Sequence, residues 1–197
     1  MSETQVVIVN TGIANTASVS AAFERLGCVV TLTCDPEIVR DAPLVVLPGV
    51  GSFGAGMRGL RAHCLNGVVI QRVQENRPLL GICLGLQLLC ASSEESLGIE
   101  GLGLINADVT RFPASVRTPQ HGWNHVGEGY AYFSNTYRIE SIPPEWSGEL
   151  SKHGGPFVAY LRRGTTLACQ FHPELSGTWG ASLLKNWIEK AKEASPC

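Results

Sequence analysis

The chain has 197 residues, 44% hydrophobic and 16% charged, with a formal net charge of −2. That balance gives no basic field for nucleic acid or an anionic membrane surface, and no apolar run approaches a membrane span. The opening Met-Ser-Glu-Thr-Gln lacks the basic and apolar regions of a signal peptide. The expectation is a cytoplasmic protein with one domain over residues 1–197, long enough to bury a substantial core.

In chain order, residues 5–9, 29–33, 44–47 and 78–82 read as short strands, the later ones continuous enough in apolar residues to be buried on both faces. Helical patterns lie between them. One covers 16–26 and stops at Gly27, a short turn opens at Asp35-Pro36, and a longer pattern runs over 55–75 with some glycine interruption. Alternating strand and helix predicts a parallel sheet with helices on both faces. From 104 to 170 the pattern becomes rich in strands and turns, and 109–112, 124–126, 130–133, 157–162 and 166–171 predict antiparallel or mixed additions. An amphipathic helix over 176–192 closes the chain, with Leu183, Leu184, Trp187 and Ile188 as its apolar stripe. The fold class is therefore α/β, an open, mixed and mostly parallel sheet flanked by helices.

Three segments carry chemistry. The first is Leu-Leu-Gly-Ile-Cys-Leu-Gly-Leu-Gln at 79–87, a cysteine in a Gly-x-Cys-x-Gly frame directly after an apolar strand. A sharp strand-to-helix turn there exposes Cys83 at the top of the sheet, at a helix N-terminus whose free amides favour a thiolate. The alternative for this window alone is a buried cysteine packing as a small hydrophobe. The second segment is Thr-Leu-Ala-Cys-Gln-Phe-His-Pro-Glu at 166–174. In an extended chain His172 and Glu174 point the same way, so the carboxylate can orient the imidazole that serves a nucleophile. An ordinary loop with a solvated histidine is the competing reading of that window. The third is Leu-Pro-Gly-Val-Gly-Ser-Phe-Gly at 47–54, a candidate oxyanion loop, with the amide of Leu84 as a second donor. A phosphate loop fits poorly there, because Met57 and Arg58 follow Gly56 where Lys and Ser/Thr are required.

Seven cysteines, at 28, 34, 64, 83, 90, 169 and 197, form no Cys-x-x-Cys pair, which favours reduced thiols over a disulfide frame. His121 and His125 flank Gly-Trp-Asn, but no four-ligand set at finger spacing exists, so no metal site is expected.

Together the three segments resemble the class I glutamine amidotransferases, which release ammonia from glutamine with a Cys-His-Glu triad. The resemblance extends through Pro-Gly-Val-Gly-Ser-Phe at 48–53, Gly-Ile-Cys-Leu-Gly-Leu-Gln-Leu-Leu at 81–89, Gly-Leu-Gly-Leu-Ile at 101–105, Gly-Trp-Asn at 122–124 and Gln-Phe-His-Pro-Glu-Leu-Ser-Gly at 170–177. In order and spacing these windows are similar to the branch of the family that serves imidazole glycerol phosphate synthesis. The glutaminases of pyridoxal phosphate, anthranilate and guanylate synthesis resemble the chain at the triad but not at 48–53 or 122–124.

The resemblance implies a flavodoxin-like fold, with Cys83 as nucleophile, His172 as general acid/base and Glu174 as its orienter. It implies that Val50 and Gly51 supply oxyanion donors, and that Gln87 with the backbone around Ser134, Asn135 and Thr136 holds the amino-acid end of L-glutamine. It implies no cofactor. The implied partner is a separate cyclase subunit, a (β/α)8 barrel in a heterodimer, that uses the ammonia to make imidazole glycerol phosphate and an aminoimidazole carboxamide ribotide in histidine biosynthesis. The segment 48–51 would be a gate that the partner opens, with Gly49 and Gly51 free to visit positive φ. Another small amidotransferase subunit or a cysteine amidase on the same scaffold is the alternative.

Three windows depart from the family. Asn10-Thr11-Gly12 replaces Asp-Tyr-Gly, His121 replaces a methionine, and Tyr132-Phe133-Ser134-Asn135-Thr136-Tyr137 replaces Tyr-Phe-Val-His-Ser-Tyr. The last lies in the expected glutamine pocket.

Overall fold

The structure is a computed structural model describing residues 3–12 and 15–194. Its first half alternates strand and helix: β1 (Thr4–Val9), α1 (Thr16–Arg25), β2 (Cys28–Thr33), α2 (Pro36–Asp41), β3 (Leu44–Gly49), α3 (Phe53–Ala62), α4 (Leu65–Gln74), β4 (Leu79–Cys83) and α5 (Leu84–Leu88). The second half is mostly strand: β5 (Cys90–Ser93), β6 (Ile105–Arg111), β7 (Gln120–Val126), β8 (Gly129–Asn135), β9 (Tyr137–Arg138), β10 (Ser147–Lys152), β11 (Pro156–Arg163) and β12 (Thr166–Cys169), followed by α6 (Gly177–Ala194). Single 3-10 turns occupy Glu94–Ser96 and Pro173–Leu175.

Local chemistry sets the helix ends. Asp35 Oδ1 accepts from the amides of Glu37 and Ile38 at 2.8 and 3.3 Å to open α2, with Pro36 in the first turn. Gly27, at φ 77°, ends α1. The periodic stretch 55–75, expected as one helical pattern, is two helices. The chain breaks at His63-Cys64, where Cys64 takes the left-handed conformation at φ 56°, not at a glycine. The break lets both pieces bury their apolar faces in one core, Met57 and Leu60 from α3 with Leu65, Val69 and Val73 from α4. A straight helix of that length would run about 30 Å.

Seven strands form the main sheet in the order β10-β11-β12-β4-β3-β1-β2. The five from β12 to β2 are parallel, and β10 and β11 add antiparallel at one edge. Period-2 alternation divides the core: Val6 and Ile8 of β1 face the layer of α1, α6 and the aromatic cluster of Phe133, Phe157 and Phe171, while Val7 and Val9 face that of α3, α4 and α5. The stripe Leu183, Leu184, Trp187 and Ile188 of α6 is buried as expected. Strand β10 and the short β5 and β9 escaped the sequence reading, and β12 ends at Cys169, two residues before the expected limit.

One buried charge ties these parts together. Arg72 is fully buried and donates through Nη1 to the carbonyls of Val39, Arg40 and Ala42 and through Nη2 to that of Pro78, at 2.9–3.0 Å. It thereby fastens the end of α2 to the entry of β4. Desolvation lowers its pKa to about 10.

Candidate active site

In a parallel sheet, ligand sites form beyond the carboxyl ends of the strands. Cys83 is the last residue of β4, and β3 ends beside it, Gly49 standing opposite Cys83 in the register. On the other side of β4 lies β12, and three residues past its end the chain reaches His172.

The turn at Cys83 has φ 54° and ψ −107°, a strained conformation for a residue with a Cβ, at a cost of roughly 1–3 kcal/mol. Close backbone packing holds it there. A Cβ on Gly85 would lie 1.9 Å from the carbonyl oxygen of Leu47, and one on Gly81 would lie 3.1 Å from the Gly85 carbonyl carbon and the Leu86 amide. Gly49 is required for the same reason, since its Cβ would meet that of Leu84 at 2.8 Å. Of the two loop glycines expected to visit positive φ, only Gly51 does, at 92°. Leu84 opens α5, so its amide is among those with no partner inside the helix.

Cys83 was expected on an exposed turn; it is only 7% exposed, because the pocket wall closes over it. Its Sγ is 4.0 Å from the carbonyl oxygen of Ser134 and 3.8 Å from Nε2 of Gln170. Cys90 and Cys169 are interior packing thiols, pushed up in pKa by burial. All six described cysteines are unpaired.

His172 and Glu174 do meet, with Nδ1 2.8 Å from Oε1, but not by strand alternation. His172 is extended, at φ −99° and ψ 95°, and Pro173–Leu175 then curls into a 3-10 turn that returns Glu174 to the ring. The amide of His172 donates to the carbonyl of Tyr132 at 2.9 Å, Ser176 Oγ donates to the carbonyl of His172 at 2.6 Å, and the Tyr132 amide donates to Ser176 Oγ at 3.0 Å. Desolvation by burial disfavours the imidazolium, but hydrogen bonds to Cys83 and Glu174, with the charges of both, outweigh it and raise the pKa of His172 from 6.5 to about 10. Cys83 and His172 line one cavity, and the Glu174 side chain is almost fully buried behind the ring.

A cavity of about 220 Å³ opens in front of them, lined by Val50, Gly51, Cys83, Leu84, Gln87, Ser134, Asn135, Thr136 and His172. Every site residue expected from the sequence lies on it except Glu174, which stands behind His172. Tyr137, from the window expected at the pocket, also lines it, as does Glu95, which was not foreseen. Glu95 sits in a 3-10 turn of the run Ser-Ser-Glu-Glu-Ser, and its Oε2 accepts from the Phe53 amide at 2.6 Å and fixes the start of α3. Gln87 Nε2 donates to Gln170 Oε1 at 3.0 Å and to the Tyr137 carbonyl at 3.3 Å, which rules out a merely solvated helix residue. The departing Asn10-Thr11-Gly12 segment forms a local turn, with the Gly12 amide on Asn10 Oδ1 at 3.2 Å.

The fold and this site define a class. The chain belongs to the glutamine amidotransferase class-I family, whose model matches residues 7–191. Within it, the chain is similar to proteins named imidazole glycerol phosphate synthase subunit HisH. That of Symbiobacterium thermophilum is 39% identical, with 93% of this chain and 92% of that protein covered. That of Methanothermobacter thermautotrophicus is 34% identical, with 93% and 98% covered. Among solved structures, a glutamine amidotransferase superposes with a TM-score of 0.77 at 21% identity, covering 95% of this chain and 98% of that one, a likeness of fold. The chain is an enzyme of the glutaminase type.

Proposed function

We propose that this chain is the glutaminase subunit of an imidazole glycerol phosphate synthase, hydrolysing L-glutamine to glutamate and ammonia. The Cys83, His172 and Glu174 constellation, with the Nδ1–Oε1 contact at 2.8 Å, around a cavity that the other expected site residues line, supports glutamine hydrolysis, and the 39% identity over 93% of the chain to a protein named imidazole glycerol phosphate synthase subunit HisH supports the particular synthase.

In this mechanism the Cys83 thiolate attacks the side-chain amide carbon of glutamine, and the oxyanion is held by the amide of Leu84 and those of Val50 and Gly51. The raised pKa keeps His172 protonated at neutral pH, ready to give its proton to the departing nitrogen; it then takes one from the water that hydrolyses the glutamyl thioester. Glu174 holds the ring with its far nitrogen toward sulfur. Gln87 and the Ser134, Asn135 and Thr136 wall hold the amino-acid end, and the Glu95 carboxylate supplies a partner for the α-ammonium group. The steps need no metal or organic cofactor.

Ammonia is a useful product only where it is captured. The partner in this reading is a (β/α)8 cyclase subunit that consumes it to make imidazole glycerol phosphate and an aminoimidazole carboxamide ribotide. The segment 48–51 is the gate between low and high activity. No helix of the described residues is long and apolar enough to cross a membrane. The reading places the chain, as one domain and without nucleic acid or membrane partners, in the cytoplasm.

The test is to titrate a cyclase barrel and its ribonucleotide substrate into the purified chain while measuring glutamate. A gain of about 10²- to 10³-fold, the worth of one oxyanion donor, is expected. Unchanged release with no detectable binding would leave a self-sufficient amidase as the better description.

A further inference from the structure

We infer that His121 is a positioning residue for glutamine binding: a Tyr132–His121–Ser134 hydrogen-bonded chain on the outer face of the β7–β8 hairpin locks the strand end that walls the cavity. The inference rests on the glutaminase reading of that cavity.

The hairpin is a two-stranded ribbon outside the main sheet, docked by the Tyr132–His172 bridge, by the Tyr132 amide on Ser176 Oγ, by Asn124 Nδ2 on the Lys152 carbonyl and by Val126, Ala131 and Phe133 in the core. Two strands alone have little stability, so cross-strand side chains on the outer face add to what the core contacts hold. Three directly opposed pairs do so on its outer face: His125 with Tyr130, Trp123 with Tyr132, and His121 with Ser134. The first two are edge-to-face ring contacts, at 5.3 and 6.1 Å. The third is a hydrogen bond, His121 Nδ1 to Ser134 Oγ at 3.1 Å, and the other ring nitrogen of His121 meets the Tyr132 hydroxyl at 3.0 Å.

A neutral imidazole carries one donor and one acceptor, so each ring nitrogen has a complementary hydroxyl and the ring is fixed at both ends. The two residues fixed this way have different tasks. Tyr132 gives its carbonyl to the His172 amide, and Ser134 stands on the cavity with its carbonyl 4.0 Å from Cys83 Sγ. His121 touches neither cavity nor sulfur. It acts through Ser134, keeping the wall at the distance that glutamine needs while leaving the Cys83–His172 pair alone.

The chain can be tested alone by labelling Cys83 with two electrophiles, a glutamine-shaped diazoketone that must use the wall and iodoacetamide that need not. Peptide mass spectrometry reads the rate at Cys83. For His121→Leu the diazoketone rate should fall roughly 3- to 10-fold, the worth of one neutral hydrogen bond, with the iodoacetamide rate unchanged. Ser134→Ala should slow it similarly, the double variant no further than the slower single one, and His121→Gln, which keeps a donor and an acceptor, should stay within about twofold of wild type. A His121→Leu variant that labels like wild type, or single effects that multiply in the double variant, would overturn the inference. Loss of both labelling rates would assign His121 to folding of the hairpin and overturn it too. If the wild-type chain reacts with iodoacetamide but never with the diazoketone, the glutamine reading of the cavity fails, and the inference with it.

Discussion

The two walls of the cavity are built differently. On the β4 side the main chain packs closely: a Cβ on Gly81 or Gly85 would press on backbone and one on Gly49 on the Leu84 side chain, and Cys83 is held in a strained turn by that packing. On the hairpin side, side chains do the holding, through His121 and Ser134 and the ring contacts beside them. A wall made by close approach of the main chain admits only glycine at those positions. A wall made by side-chain pairs can exchange one pair for another.

The largest effect should come from the β4 side. Cys83→Ala is expected to lower glutamate release by about 10⁴-fold or more while the unfolding free energy changes by less than about 1 kcal/mol, because only one sulfur is lost at an unchanged backbone. Retained glutamate production would remove the assignment.

Arg72→Leu probes the support beneath that wall. It leaves the carbonyls of Val39, Ala42 and Pro78 without this donor, and urea unfolding should report a loss of about 3–5 kcal/mol, with activity per folded molecule preserved. A change under about 1 kcal/mol would show that water replaces the guanidinium.

Glu174→Gln should lower glutamate release by about 10²-fold, less than loss of the nucleophile, since the base remains but is poorly oriented. It also carries a pH signature. The folded pKa of His172 is raised, so its contribution to stability is fully present below about pH 6.5 and lost as pH rises through about 10. Removing the Glu174 charge lowers the upper edge of that window, which histidine-ring NMR and unfolding measured across the window will detect. An unmoved edge would mean that Cys83 alone sustains the imidazolium.

A smaller contrast separates two glycines. Gly85→Ala should cost about 2–3 kcal/mol by overpacking against Leu47, whereas Gly51→Ala meets nothing within 4 Å and should cost only about 1 kcal/mol of positive-φ strain. Equal losses in chemical unfolding would contradict the view that the elbow is set by packing and the loop by backbone freedom.

The same division explains what the sequence made legible. Gly81, Cys83 and Gly85 lie within five residues, and His172 and Glu174 within three, so local spacing revealed both halves of the site. Of the parallel strands of the main sheet, β3 and β4 are continuous apolar runs, and all five were found to within two residues at each end. Glu95 was invisible because its task, holding the Phe53 amide, joins residues 42 positions apart. Strand β10 was missed because it is an edge strand: its Ser-Gly-Glu-Leu-Ser-Lys sequence is mostly exposed and carries no apolar alternation. The break at Cys64 was hidden because a single non-glycine residue in left-handed conformation interrupts an otherwise helical period. Burial of Cys83 depends on the hairpin's position, which long-range contacts such as the bridge to His172 and the Tyr132–Ser176 hydrogen bond fix.

The central claim is that glutamine is hydrolysed through a thioester on Cys83. Its most direct test is to mix the chain with glutamine, quench in acid during turnover, and locate the bound glutamyl group by peptide mass spectrometry. The account predicts one glutamyl group on the peptide containing Cys83, absent from Cys83→Ala. Glutamate accumulating with no adduct at Cys83, or with the adduct on another residue, would contradict it.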